Sequence, residues 1–213
     1  MELEFNPSLN FGAKLIKRTS VGRCNQSKEF SYEPLSGCIV EIEPNLKKDK
    51  KAVDSAVSTW GEYDWYGHSI AEDINSGILQ KQKGKVYAMT LQNSDFDNLD
   101  GELIIGLSEV IPKGKNKQEI KFLQASPIKN KSGNKKEYIN VGQSFIDMLK
   151  KNPLNFRIIV QASYNAANFY EKMKFRIIDT DKLIYLWEKD QSMIKYIKAT
   201  CNKRHYKKLI TKA

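Results

Sequence analysis

Arg157-Ile-Ile-Val-Gln-Ala-Ser-Tyr164, continued by Asn165-Ala-Ala-Asn-Phe-Tyr-Glu-Lys-Met-Lys-Phe175, decides how the rest of the chain is read. Ile158, Ile159 and Val160 form a short β-branched run, which predicts a buried strand. Ser163 and Asn165 then offer side chains suited to an N-cap, and Ala166, Phe169, Tyr170 and Met173 recur at i, i+3, i+4 and i+7. That spacing places one apolar stripe on a helix of about three turns. Beyond Phe175, Ile177-Ile178 and Leu183-Ile-Tyr-Leu-Trp187 predict two further strands around an Asp-Thr-Asp turn.

Working back toward the N-terminus, Val141, Phe145, Met148 and Leu149 trace the face of another helix, closed by Pro153. Before it come three strand patterns joined by polar turns: Lys85–Leu91, Glu102–Leu107 running on to Val110, and Glu119–Ser126. Val53, Ala56, Val57 and Trp60 predict one helix, and Ile70, Ile74 and Ile78 a second that ends near Gly84. Between these two lies the aromatic loop Trp60-Gly-Glu-Tyr-Asp-Trp-Tyr-Gly67, and before them Cys38–Glu43 predicts a strand stopped by Pro44. Residues 1–36, with weak periodicity and scattered glycine and proline, read as an extended lead-in to a domain over 37–188, and 189–213 as a basic C-terminal extension. Short-turn strands favour an antiparallel meander, whereas strand–helix–strand favours a parallel crossover. The expected fold is therefore α/β of the mixed α+β kind: a central mixed, mainly antiparallel sheet flanked by helices on both faces.

The strand, alanine-rich helix start and Phe-Tyr-x-x-x-x-Phe spacing over 157–175 resemble the C-terminal half of the GNAT superfamily of acyl-CoA-dependent N-acyltransferases. The order of elements over 37–188 is similar to that fold as well. The resemblance implies transfer of an acetyl group from acetyl-CoA, as co-substrate, to a primary amine on a small molecule or protein, without a metal. It implies that Tyr170 attends the thioester sulfur as an acid, with Asn165 and Phe169 on the cofactor side. Leu123-Gln-Ala-Ser-Pro127 resembles the family's strand end, where the amide near Ala125 would polarise the thioester carbonyl. Asn140, Val141, Gly142, Gln143 and Ser144 resemble the loop-to-helix segment whose N–H groups hold the pyrophosphate, since an uncapped helix start attracts anions. The sequence departs from the family pattern here, with Asn140 at the central glycine, Glu137 at the usual Gln or Arg, and a longer loop.

Each of these residues also has a plainer role open to it. Tyr170 can be a core aromatic and Asn165 a helix cap, while Lys129, Lys131, Lys135 and Lys136 can be solvated loop lysines. For the base that takes the ammonium proton, the resemblance implies Glu119, on a strand position that some members use, with Glu109 as a competitor. His68 is a weaker candidate, and His205 stands among cations that depress its basicity. Trp60, Tyr63, Trp65 and Tyr66 are either an acceptor-site wall or a cluster closing the core.

The bulk composition limits the alternatives. A length of 213 residues with 40% hydrophobic and 28% charged residues suits one domain with a real core. No apolar run suggests a membrane span, the N-terminus does not resemble a signal peptide, and a cytoplasmic location is the expectation. Cys24, Cys38 and Cys201 are widely spaced, without a Cys-x-x-Cys pair, which disfavours a disulfide framework or zinc site. The net charge of +10 is concentrated: seven basic residues and no acidic one follow Gln191, leaving +3 for residues 1–190. On that count nucleic-acid binding belongs to the tail. Two other classes stay open beside the enzyme: a non-catalytic acyl-CoA-binding or interaction module, and an RNA- or ribosome-directed protein using the basic tail. The acceptor, the acyl length and the oligomeric state are not encoded in any motif.

Overall fold

A computed structural model describes residues 12–25, 31–61, 65–129, 133 and 135–190. Nine strands form one sheet in the order β6-β1-β2-β3-β4-β5-β7-β9-β8. These are β1 (Lys14–Cys24), β2 (Tyr32–Ile42), β3 (Lys85–Thr90), β4 (Ile104–Pro112), β5 (Lys117–Ala125), β6 (Tyr138–Ile139), β7 (Arg157–Gln161), β8 (Arg176–Asp179) and β9 (Ile184–Glu188). Every pairing is antiparallel except that of β5 with β7. The mixed, mainly antiparallel sheet expected from the sequence is the one the chain builds, with the meander over β3–β5 and the parallel crossover at β5–β7.

Helices cover both faces. On one side α1 (Lys47–Trp60), α2 (Trp65–Asn75) and the short α3 (Ile78–Lys81) bury Val53, Val57, Trp60, Ile70, Ile74 and Leu79 against Val40, Ala88 and Leu107. On the other, α4 (Val141–Lys151) and α5 (Ala167–Lys172) bury Phe145, Ile146, Leu149 and Tyr170 against Ile39, Met89, Ile120, Ile158 and Tyr185. The alternation of strand side chains between faces divides the apolar residues into these two cores.

Residues 14–24 are not a lead-in. They form β1, which pairs with β2 along its length from Lys14↔Glu41 to Cys24↔Tyr32. The strand reads poorly because its first half alternates between exposed and half-buried positions; only Val21, Gly22 and Cys24 are buried. The far end of this hairpin reaches past β3 and pairs with β6, which the loop before α4 supplies. The aromatic loop is also shorter than expected, since Trp65 already opens α2.

The helix after β7 differs from its predicted length. Tyr164–Ala166 is a 3-10 turn and α5 has six residues. Neither Ser163 nor Asn165 caps it: Ser163 makes no side-chain cap hydrogen bond, and Ala166 occupies the N-cap of α5. Lys174 takes a left-handed conformation, φ 59°, and Phe175 N–H donates to Tyr170 O at 3.0 Å, ending the helix early. Lysine in that role carries none of the signal that a glycine would.

Candidate functional site

The parallel ladder between β5 and β7 runs from Lys117↔Arg157 to Ile120↔Val160 and stops there. β5 continues to Ala125 without β7 beside it, so the sheet opens into a cleft of about 570 Å³. Leu123 and Ala125 line it from β5, Asn140 to Gln143 from the start of α4, and Asn165, Phe169 and Tyr170 from the other wall. Residues far apart in sequence and selected by the resemblance therefore meet in one place.

The free edge of β5 has a definite polarity. Ser126 N–H donates to Ile105 O on the β4 side at 2.9 Å. Alternation along an antiparallel strand then turns the Leu123 and Ala125 N–H groups the opposite way, toward the cleft.

The start of α4 makes the second wall. Asn140 is its N-cap with φ 65° and ψ 5°, and its side chain makes no cap hydrogen bond. Asparagine adopts the left-handed conformation more readily than most residues, so it suits this turn position without a glycine. The first-turn N–H groups carry no side-chain cap, and the first turn holds no acidic residue. Gly142 serves close packing: a Cβ there would lie 3.2 Å from Phe169 Cζ. Gly106 of β4 serves it too, since a Cβ would sit 2.4 Å from Val141 Cγ1.

Ser144 is the one predicted cofactor residue that does not line the cleft. It is buried, and its hydroxyl lies 3.2 Å from that of Thr19 on β1. Glu137 donates no charge to the cleft, because Arg23 of β1 binds it at 3.0 Å. Cys24 N–H donates to Glu137 O at 2.8 Å, and β6 follows directly. The long loop is thus tied to β1, the strand that sequence periodicity missed. Lys136 and Tyr138 line the cleft; Lys129 forms a bridge with Lys136, and Lys131 lies outside the described residues.

Tyr170 is buried, packed edge-on against Phe169 and Phe175 at 5.1 and 5.6 Å between ring centroids. It is a core aromatic and a cleft residue at once. Burial, with the Tyr66 hydroxyl adding to it, pushes its pKa upward, so the phenol keeps its proton at neutral pH. Among the described residues none hydrogen-bonds to its hydroxyl.

The predicted base lies elsewhere. Glu119 sits at the other end of β5, ion-paired with Lys113 at 2.8 Å. Six residues, roughly 20 Å of extended strand, separate it from Ala125. Glu119 lies within the β5–β7 ladder, opposite Ile159. Glu109 has the more unusual environment. It is fully buried on the α2 side of β4, 3.3 Å from Lys121 Nζ, and Lys121 also binds Asp73 of α2. Lys121 is the extra residue of a β-bulge, because Glu109 pairs with Phe122 and Val110 with Ile120. Glu109 Oε2 has no hydrogen-bond partner. Burial, then the Asp73 charge, raise Glu109 to about 7 against the opposing pull of Lys121. Glu109 does not line the cleft.

The aromatic residues divide. Trp60 is buried in the core beneath α1, whereas Trp65 is 80% exposed and Tyr66 lines the cleft. Tyr164, between the lining residues Ser163 and Asn165, is 85% exposed and was not singled out by the sequence. Tyr63, His205, Cys201 and the basic tail lie outside the described residues.

No family model matches the sequence, and no curated protein matches it. Among solved structures the chain is similar to a protein assigned to the GNAT acetyltransferases from Desulfovibrio desulfuricans, at 12% identity over 70% of this chain and 98% of that one, with a TM-score of 0.48. It is similar to another protein assigned as an acetyltransferase, from Exiguobacterium sp. 255-15, at 11% identity, 78% and 99% coverage and a TM-score of 0.48. A GNAT-family acetyltransferase from Staphylococcus aureus Mu50 shares 16% identity over 70% and 98%, with a TM-score of 0.45.

Proposed function

We propose that this chain is an N-acyltransferase that moves an acetyl group from acetyl-CoA to a primary amine by direct attack in a ternary complex. The observation that carries the proposal is the opened sheet: two strand N–H groups, an uncapped helix start and a protonated tyrosine share one cleft. The first turn of α4 offers oriented donors to a pyrophosphate, with Lys136 beside it. Leu123 and Phe169 supply apolar walls for the pantetheine arm.

The chemistry assigns one role to each group. As the amine nitrogen bonds to the thioester carbon, the Ala125 N–H donates to the carbonyl oxygen, where charge accumulates. Tyr170 gives its proton to the sulfur as the carbon–sulfur bond breaks, and the proton released by the amine returns to the phenolate through solvent at the open mouth. Tyr66 in the lining, and Tyr164 between the lining residues Ser163 and Asn165, fit a cationic amine approaching that mouth, since aromatic faces attract ammonium groups. The placement of Glu119 away from the cleft favours a second possibility, an acyl-CoA-binding module without turnover.

The test is twofold. Saturating acetyl-CoA should raise the melting temperature by linkage, and a primary amine should then release free thiol. Tyr170→Phe retains the ring and removes the hydroxyl, so turnover should fall by roughly 10²-fold with acetyl-CoA affinity nearly unchanged. Binding without thiol release across a panel of amines leaves the module; no thermal shift removes both.

A further inference from the structure

We infer that the chain carries a second binding surface, a cationic groove for the phosphate backbone of a nucleic acid, that runs across the sheet from β1 to the end of β5 away from the cleft. Two adjoining cavities of about 340 and 270 Å³ share Lys85, Tyr87 and Asn152 and so form one continuous depression. Five lysines line it: Lys17, Lys83, Lys85, Lys117 and Lys151. Among the described residues the only carboxylate in the lining is Glu41, which is spent on Lys85 at 2.9 Å. Lys17, Lys83, Lys117 and Lys151 have no carboxylate partner among the described residues.

The arrangement selects an extended anion over a compact one. Lys17 stands on β1, Lys85 on β3 and Lys117 on β5 in the sheet order β1-β2-β3-β4-β5, and the register sets them on a diagonal: Lys17 is level with Met89 through Ile39, Lys85 is level with Val110, and Lys117 lies past Pro112. Four inter-strand steps amount to roughly 19 Å. A single phosphate cannot engage charges spread over that distance, whereas the repeated charges of a nucleic-acid backbone can. Tyr87 is buried and, among the described residues, no exposed aromatic lines the groove, so none there offers bases a stacking surface. Binding should therefore be driven by phosphates, tolerant of sequence and steeply salt-dependent. The groove is also separate from the proposed active site: on β5, Lys117 and Ala125 are eight residues, about 26 Å, apart.

The experiment measures fluorescence anisotropy of a labelled mixed-sequence single-stranded RNA at several salt concentrations. It compares the full chain with K17Q/K83Q/K117Q/K151Q, and repeats the comparison in chains lacking residues 202–213. In both backgrounds the variant should lose at least about tenfold in affinity at low salt. Its plot of log K against log salt should be shallower by up to about 3, from roughly 0.7 per phosphate contact. An unchanged melting temperature establishes that the variant is folded, and unchanged acetyl-CoA stabilisation keeps this test independent of the cleft. Equal RNA affinity of variant and parent overturns the inference. So does displacement of RNA by inorganic phosphate at matched phosphate concentration, or equally tight binding of polyglutamate.

Discussion

Glu109→Gln should stabilise this protein, and increasingly so as pH rises. In the folded chain Glu109 is fully buried among Lys121, Asp73 and the underside of α2, with its pKa raised from 4.5 to about 7. Two carboxylates share one ammonium there, so with both ionised the cluster holds an uncompensated buried charge. The raised value means that the folded state binds the proton more tightly than the unfolded chain. Stability from Glu109 is then complete below about 4.5 and is lost as pH climbs to about 7. The rise from 4.5 to about 7 corresponds to roughly 3 kcal/mol. Glutamine keeps the shape and cannot ionise, and Asp73 remains to hold Lys121. At pH about 8 the variant should therefore melt higher than the parent by roughly 6–12 °C, the range for a chain of this size. Near pH 4.5 the two should nearly coincide. Parallel melting profiles for parent and variant between about pH 5 and 8, by differential scanning calorimetry, would refute the assignment of Glu109 as the titrating group.

Two further outcomes follow from the cleft. Gly142→Val places a Cβ 3.2 Å from the Phe169 ring and its methyls in the path of the cofactor, so acetyl-CoA affinity should drop by roughly tenfold or more while the protein stays folded; isothermal titration calorimetry beside a melting curve checks both halves. Glu119→Gln should leave turnover within about twofold, because the side chain pairs with Lys113 far from Ala125; a loss above tenfold in the thiol-release assay would return Glu119 to the role of base.

Local chemistry determined much of the fold. The β-branched run over 158–160, the strand pattern over 85–91, the apolar face of 141–149 and the short meander turns state their own structure, because the periodicity and turn residues that specify each lie within a few consecutive positions. Leu123, Ala125, Asn140, Gly142, Asn165, Phe169 and Tyr170 are picked out in the sequence only by the family resemblance, and in the structure they line one cleft. Other features have no local signature. β1 looks like loop because half its residues face outward, and only its pairing with β2 and β6 makes it a strand that ties down the loop before α4. Residue type alone does not separate Glu119 from its competitor Glu109; the length of β5 takes the first from the cleft, and the second is buried beside Lys121, which also binds Asp73. Charge shows the same division most plainly. How much positive charge the chain carries, and that its tail is basic, are fixed by residue types alone. That Lys17, Lys83, Lys85, Lys117 and Lys151, scattered over more than half the chain, line one groove follows from folding, because sheet order, not sequence order, sets which charges are neighbours.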